Sequence, residues 1–222
     1  MAGRIGVNIV KDGLVLYLDA ANSISYVSGS TTWNDLSRSG NNGTLVNDPA
    51  FNSSNGGSIV FDGVDDYVNG SGLNLSGSAF TISTWIKPNQ SNTRTFFSLG
   101  TIGTNRGSIH MRIGSNTFIR FGMFNDDLDF TVPNLVDNWS HITVSLNTDF
   151  TQSSFRNGVF INSRLAGGYF IGNSIWAVGV KLFQGLGEFF SGNISHTLVY
   201  NRALTPIEIL QNYNATKRRF GL

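Results

Sequence analysis

The chain has 222 residues, 40% of them hydrophobic, and a net charge of +1. One large all-β domain with a sizeable core fits this length, and no long-range field draws nucleic acid or an anionic membrane. Only 13% of residues are charged and there are no cysteines, which excludes disulfides and thiol chemistry and leaves a polar surface of Ser, Thr, Asn and Gly.

Residues 1–12 lie outside any strand pattern and lack the continuous apolar stretch of a secretion signal. They are expected to form an N-terminal arm, in which Ile5 to Val10 can add to a neighbour's sheet edge. No stretch of the chain has the length and apolarity of a membrane-spanning helix.

The sandwich pattern is expected to run from residue 13 to residue 214. A short strand breaks at Asp62-Gly63 and resumes at Tyr67, with Asp62 and Asp65 expected to bond local amides and Gly63 to take a positive φ. In the next strand Phe80, Ile82 and Ile86 share one face and Trp85 points to the other. Ile109, Met111 and Ile113, then Phe118 or Ile119 through Phe124, read as a hairpin across Gly114-Ser115-Asn116. Asp126-Asp-Leu-Asp129 with Asn125 and Asn134 offers hard oxygens to Ca²⁺, but the composition is that of a solvated turn and that reading is preferred. Ile142, Val144 and Leu146 alternate with His141, Thr143 and Ser145, as in a half-buried antiparallel strand. The Gly-punctuated run Ser174 to Phe190 suggests two short strands. Phe190, Ile194, His196, Leu198 and Tyr200 then fall on one face of a long strand.

One helix, 205–214, is well signalled. Thr205-Pro-Ile-Glu208 supplies an N-cap hydroxyl, a proline at the first turn and a glutamate three residues on. Ile207, Leu210 and Tyr213 form a narrow apolar stripe to lay on the sandwich. The helix is expected to fray near residues 212–215. Residues 215–222, with Lys217-Arg-Arg219, are expected to form a basic tail outside the sandwich, able to meet an acidic partner.

Several segments together resemble the laminin-G-like, concanavalin-A-like jelly-roll family. They are Gly57-Ser-Ile-Val-Phe-Asp-Gly-Val-Asp-Asp-Tyr-Val68, the tryptophan–lysine–proline corner ending at Pro88, Asn138-Trp-Ser-His-Ile-Thr-Val144, Arg156-Asn-Gly158, and the strand-to-helix passage from Phe190 to Ile209. The resemblance covers residues 13 to 213. It implies an antiparallel β-sandwich jelly roll with a short C-terminal α-helix, and a domain that binds or builds more often than it catalyses. The opening, Gly13 to Ser23 followed by Thr32-Trp-Asn-Asp-Leu36 and Asn41-Asn-Gly-Thr-Leu45, is similar to that of tailed-phage virion proteins carrying this domain.

A retaining glycosidase needs two carboxylates about 5 Å apart. The chain has two glutamates, Glu188 and Glu208, on different elements and without acidic neighbours two residues away. His110, His141 and His196 are too widely spaced for a metal motif and are read as satisfied structural histidines. Neither a nucleophile elbow nor a phosphate-binding glycine loop is present, so no catalytic, cofactor-binding or metal-binding residue is assigned. Trp85 and Trp139 are expected in the sandwich. Trp33 and Trp176 are the first candidates for an exposed platform. Among Phe96, Phe97, Phe121, Phe124, Phe130, Phe183 and Phe189 some are expected at an intersubunit surface.

The resemblance therefore implies a non-catalytic virion structural protein of a bacteriophage, a capsid decoration or cement protein or a tail accessory domain. It would be made in the host cytoplasm and placed in the virion, with other virion proteins and copies of itself as partners and no cofactor. The alternative is a glycan-binding, lectin-like module for host-surface adhesion.

Overall fold

The computed structural model describes residues 8–115 and 117–222. Residues 5–7 of the Ile5-to-Val10 stretch, and the Asn116 turn position, therefore lie outside the described residues. The first strands are β1 (Leu14–Asp19), β2 (Thr32–Trp33), β3 (Gly43–Val46), β4 (Ala50–Asn52), β5 (Ser58–Asp62) and β6 (Tyr67–Gly70). Then come β7 (Phe80–Pro88), β8 (Arg94–Leu99), β9 (Ile109–Ser115), β10 (Phe118–Gly122) and β11 (Leu128–Thr131). The last are β12 (Ser140–Leu146), β13 (Thr151–Arg156), β14 (Val159–Leu165), β15 (Trp176–Val178) and β16 (Ser191–Tyr200), followed by α1 (Pro206–Thr216) and a 3₁₀ turn, Lys217–Phe220. The run Ser174 to Phe190 thus holds one strand and isolated bridges where two strands were expected.

Two antiparallel sheets face each other. The first has the order β14-β13-β12-β7-β16-β5-β4 with β1 also on β16; the second is β11-β10-β9-β8-β15-β6-β3-β2. Ile59, Phe61, Phe80, Ile82 and Ile142 from the first sheet meet Val68, Phe97, Met111, Phe121 and Trp176 from the second in one continuous core. Trp33 and Trp176 are fully buried there and are not platforms. Gly70 makes the room, since a Cβ on it would lie 2.3 Å from the Trp176 ring. Phe96, Phe97, Phe121, Phe130 and Phe183 are buried as well and fill the protein's own interior, while Phe124 and Phe189 are partly buried.

The long strand β16 departs from simple alternation. Against β7 its register steps from Ile194 opposite Ile86 to Thr197 opposite Thr84, one residue too many, which is a β-bulge. The extra residue swaps the faces. Ile194 and Val199 stay in the core between the sheets, while Leu198 and Tyr200 turn outward into a second cluster with Ile9, Val10, Leu14, Phe155, Leu204 and Ile209. The first sheet is therefore covered on both sides, and β12, expected to be half-buried, is buried along its whole length.

The capping box forms: the Glu208 N–H donates to Thr205 Oγ1 at 3.3 Å, and the Thr205 N–H to Glu208 Oε2 at 2.8 Å. The helix face is not the expected one. Ile207 is 79% exposed, and Ile209, Asn212 and Thr216 are the buried positions. Polar partners decide this. Asn212 Oδ1 accepts the Val10 N–H at 2.8 Å, its Nδ2 donates to the Tyr200 hydroxyl at 3.0 Å, and Thr216 Oγ1 accepts the Trp85 indole N–H at 2.9 Å. The described end of the presumed N-terminal arm and the C-terminal tail join this roof. Ile9 and Val10 are buried in the protein's own second cluster. The tail is not free either: Arg219 grips the buried Asp19 with two bonds of 2.8 Å, and Phe220 stacks on Trp85 at 4.0 Å between ring centres.

Candidate functional site

Trp139 leads into β12 from the Asp137-Asn138 turn and remains half-buried, unlike Trp33, Trp85 and Trp176. Its inner side leans on Phe220, ring centres 4.6 Å apart, so Trp85, Phe220 and Trp139 form a stack from the sheet to the surface. Its indole N–H donates to Asn55 Oδ1 at 3.2 Å. Asn55 holds a left-handed backbone, φ 57°, in the turn between β4 and β5, and its amide donates to the Arg219 carbonyl at 2.8 Å. The same C-terminal turn thus positions both the ring and the amide beside it.

Around this pair opens a cleft of about 260 Å³ lined by Asn52, Ser54, Asn55, Ser58, Lys87, Trp139 and Asn193. Asn193 Nδ2 donates to Ser58 Oγ at 3.0 Å, which fixes that wall. Lys87 is the one residue of β7 that is not buried, and among the described residues its ammonium has no ion-pair partner. An aromatic surface beside amides, hydroxyls and a cation, with no carboxylate in the lining, suits a hydroxyl-rich ligand. The turn residues Asp137-Asn138 before Trp139 were the available sign that this tryptophan sits at a strand's mouth; Lys87 lies in the tryptophan–lysine–proline corner, which signals fold and not binding, and nothing local marks Asn193.

The other acidic and histidine candidates resolve differently. Asp126–Asp129 is neither a calcium set nor a solvated turn but an arginine-paired lattice. Asp126 is buried, accepts the Gly167 N–H at 2.6 Å and pairs with Arg164 at 3.1 Å. Asp127 pairs with Arg120 at 3.1 Å, and Asp129 takes two bonds of 2.7 Å from the same guanidinium. Those bonds hold the Asp129 carboxyl below its usual range, while burial raises that of Asp127. The Asn125 amide donates to Asn105 instead of converging with the carboxylates.

At the break between β5 and β6, Gly63 takes φ 82° as expected. Asp62 Oδ1 accepts the Val64 N–H at 2.8 Å, and the reciprocal bond, from the Asp62 N–H at 3.0 Å, goes to Asp66 and not to Asp65. Carboxylate oxygens of Asp62, Asp65 and Asp66 approach within 4.8 Å of one another. The amide of Val64 lowers the Asp62 carboxyl, and burial raises that of Asp66. The group is accounted for as a turn.

The histidines are structural but largely unsatisfied. His141 Nε2 meets Ser83 Oγ at 2.7 Å, whereas both ring nitrogens of His110 and of His196 lack a hydrogen-bond partner among the described residues. Burial pushes His110 down to about 3 and His196 to about 4. They act as neutral rings, His110 against Phe183 at 5.0 Å and His141 against Trp85 at 5.2 Å. The two glutamates are engaged separately: Glu188 with Arg112, Lys181 and Thr95, Glu208 with Arg202 and Thr205.

Solved structures share the fold. The binding domain of Paraclostridial Mosquitocidal Protein 1 superposes with a TM-score of 0.70 at 19% identity over 92% of this chain and 52% of that one. The botulinum neurotoxin serotype D binding domain gives 0.69 at 14% identity, again over 92% and 52%. Domain 4 of AbnA, an extracellular arabinanase from Geobacillus stearothermophilus solved with arabinotriose, gives 0.69 at 19% identity over 90% of this chain and 98% of that one. The chain thus spans about half the length of the toxin domains and nearly all of the arabinanase domain. No curated protein sequence matches. The Laminin_G_3 family model matches residues 62–210, from the Asp62 turn into the first half of helix α1, and by that match the chain belongs to the concanavalin A-like lectin/glucanases superfamily.

Proposed function

We propose that this protein is a non-catalytic binding module that takes a glycan in the Trp139 cleft. The observation that carries this reading is the half-buried indole held by Asn55 and Phe220 in a mainly polar cleft, beside a Lys87 with no ion-pair partner among the described residues. Stacking on the indole would supply contact area and the amides would fix orientation. That the arabinanase domain of like fold was solved with arabinotriose adds support. The engagement of Glu188 and Glu208 by separate cations argues for binding without hydrolysis.

The test is binding to a panel of oligosaccharides by calorimetry. Trp139→Ala, checked for folding by its melting curve, should weaken binding about tenfold or more, or ~1.4 kcal/mol. Asn193→Ala should weaken it less. A protein that binds no oligosaccharide, or binds equally well without Trp139, overturns the reading. Turnover of a polysaccharide that disappears in Glu188→Gln would overturn the non-catalytic part.

The virion-type opening at Gly13 to Leu45 supports a narrower version, in which the module is a decoration or tail accessory domain displayed on a phage particle. Co-purification with intact particles tests it, and absence from them rules it out.

A further inference from the structure

Strand β14 ends the first sheet and, over seven residues, none of its side chains is buried. Val159 is 66% exposed, Phe160 54% and Leu165 68%. Among the described residues no strand pairs with the outer side of β14, and the Ser163 N–H donates to Asn162 Oδ1 at 2.8 Å. Proteins usually guard an apolar edge of this length with charge, proline or shortness. Here there is no proline. The one charge, Arg164, is turned away towards β11, where it pairs with Asp126 and donates to the Asp127 carbonyl.

A bulge arranges the apolar residues. Phe155 faces Phe160 and Ser154 faces Asn162, so Ile161 is an extra residue in β14. Asn162 reaches the Asp129 carbonyl in β11, and Arg164 the Asp127 carbonyl just before it. Phe160 lies on the opposite side, against Phe155 with ring centres 5.6 Å apart, and Phe155 belongs to the cluster under α1. Alternation onward from Arg164 puts Leu165 on that same helix side. Five positions apart, the two would otherwise point to opposite faces. The patch continues onto the helix. Gly158 packs so closely under Leu210 that a Cβ would lie 2.9 Å from it, and the exposed Ile207 sits one turn before Leu210.

We propose that β14 pairs antiparallel with β14 of a second copy of this chain about a twofold axis, with Phe160 opposite the partner's Leu165 and Leu165 opposite the partner's Phe160. A free edge accepts only an extended segment. This one is complementary to itself: the pairing brings apolar against apolar twice and opposes no like charges, because Arg164 faces the other side. Helix α1 of each copy would then flank the seam with Ile207 and Leu210.

Sedimentation equilibrium tests this. The intact protein should be a dimer, and Phe160→Lys or Leu165→Glu alone should give monomers with unchanged circular dichroism. The double variant should dimerise again, because the register sets each new cation against the partner's new anion. Amides 159–165 should also be protected from hydrogen exchange in the dimer and lose protection on dilution. A monomeric intact protein overturns the proposal. Edge amides protected in a monomer do so too, since another segment of the same chain then covers the strand. So does a dimer that survives Phe160→Lys, and a double variant that stays monomeric overturns the register.

Discussion

The outer sides of the two sheets are finished in opposite ways. Over the first, rings and polar groups are sealed from water: Trp85 with His141 and His196, roofed by α1, residues 8–10 and the Lys217–Phe220 turn. Over the second, Phe183 covers His110 but the rest of the finish is ionic. Arg120 holds Asp127 and Asp129, and Glu188 takes Arg112 at 3.1 Å and Lys181 at 3.7 Å, with the charged groups partly open to solvent. Burial of rings stabilises through area and dispersion, with little sensitivity to salt, whereas half-exposed ion pairs are screened and individually weak. The two sides should therefore respond very differently to mutation and to solvent.

The largest effect is expected at Trp85. Trp85→Ala opens a void under Phe220, Tyr213 and His141 and should cost about 3–5 kcal/mol in urea unfolding. A loss below ~1 kcal/mol would mean that the roof bears only loosely on the sheet. Acid should act next. The folded protein keeps His196 neutral down to about pH 4, while the unfolded chain takes up a proton near pH 6.5, so the unfolded state binds more protons between these values. Stability should thus be level above pH 6.5 and decline as pH falls towards 4. His196→Phe should lessen that decline in melting curves taken from pH 7 to pH 4.5 at fixed ionic strength, with His110 and His141, also held neutral by burial, keeping the rest of it; an equal slope in the variant would assign the loss to other groups.

A smaller change tests how the roof is attached. Thr205→Ala removes the N-cap acceptor of α1 and should lower stability by about 1 kcal/mol. The ionic side should give least. Arg120→Ala is expected to cost about 0.2–1 kcal/mol at low salt and nearly nothing at high salt. A salt-insensitive loss of several kcal/mol there would erase the contrast between the two sides.

What could be read in advance followed the range of the interactions involved. The capping box at Thr205 and the turn at Asp62-Gly63 are made within a few residues, and both formed. The strands at Phe80–Pro88 and Ser140–Leu146 followed from alternating apolar residues and family motifs. The errors cluster where a distant partner overrides a local pattern. Asn212 displaces Ile207 from the buried face because Val10 and Tyr200 satisfy it. The β16 alternation fails at a bulge that only the neighbouring strand reveals. Asp126–Asp129 looks solvated until Arg120 and Arg164 arrive from β10 and β14. The cleft was hidden for the same reason: Asn55, Lys87, Trp139 and Asn193 come from four separated segments.

The tie between Asn212 and Val10 spans 202 positions, and that between Arg219 and Asp19 spans 200. Such contacts close the largest loops the chain can make, and closure entropy sets them late in the order of folding. During synthesis the β-sheets can assemble before residues 205–220 are made, but Trp85 and the histidine layer then stand open to water. The roof closes only once these residues are present, and a chain stopped short of Phe220 is left with an adhesive apolar surface of the kind that recruits chaperones or drives aggregation.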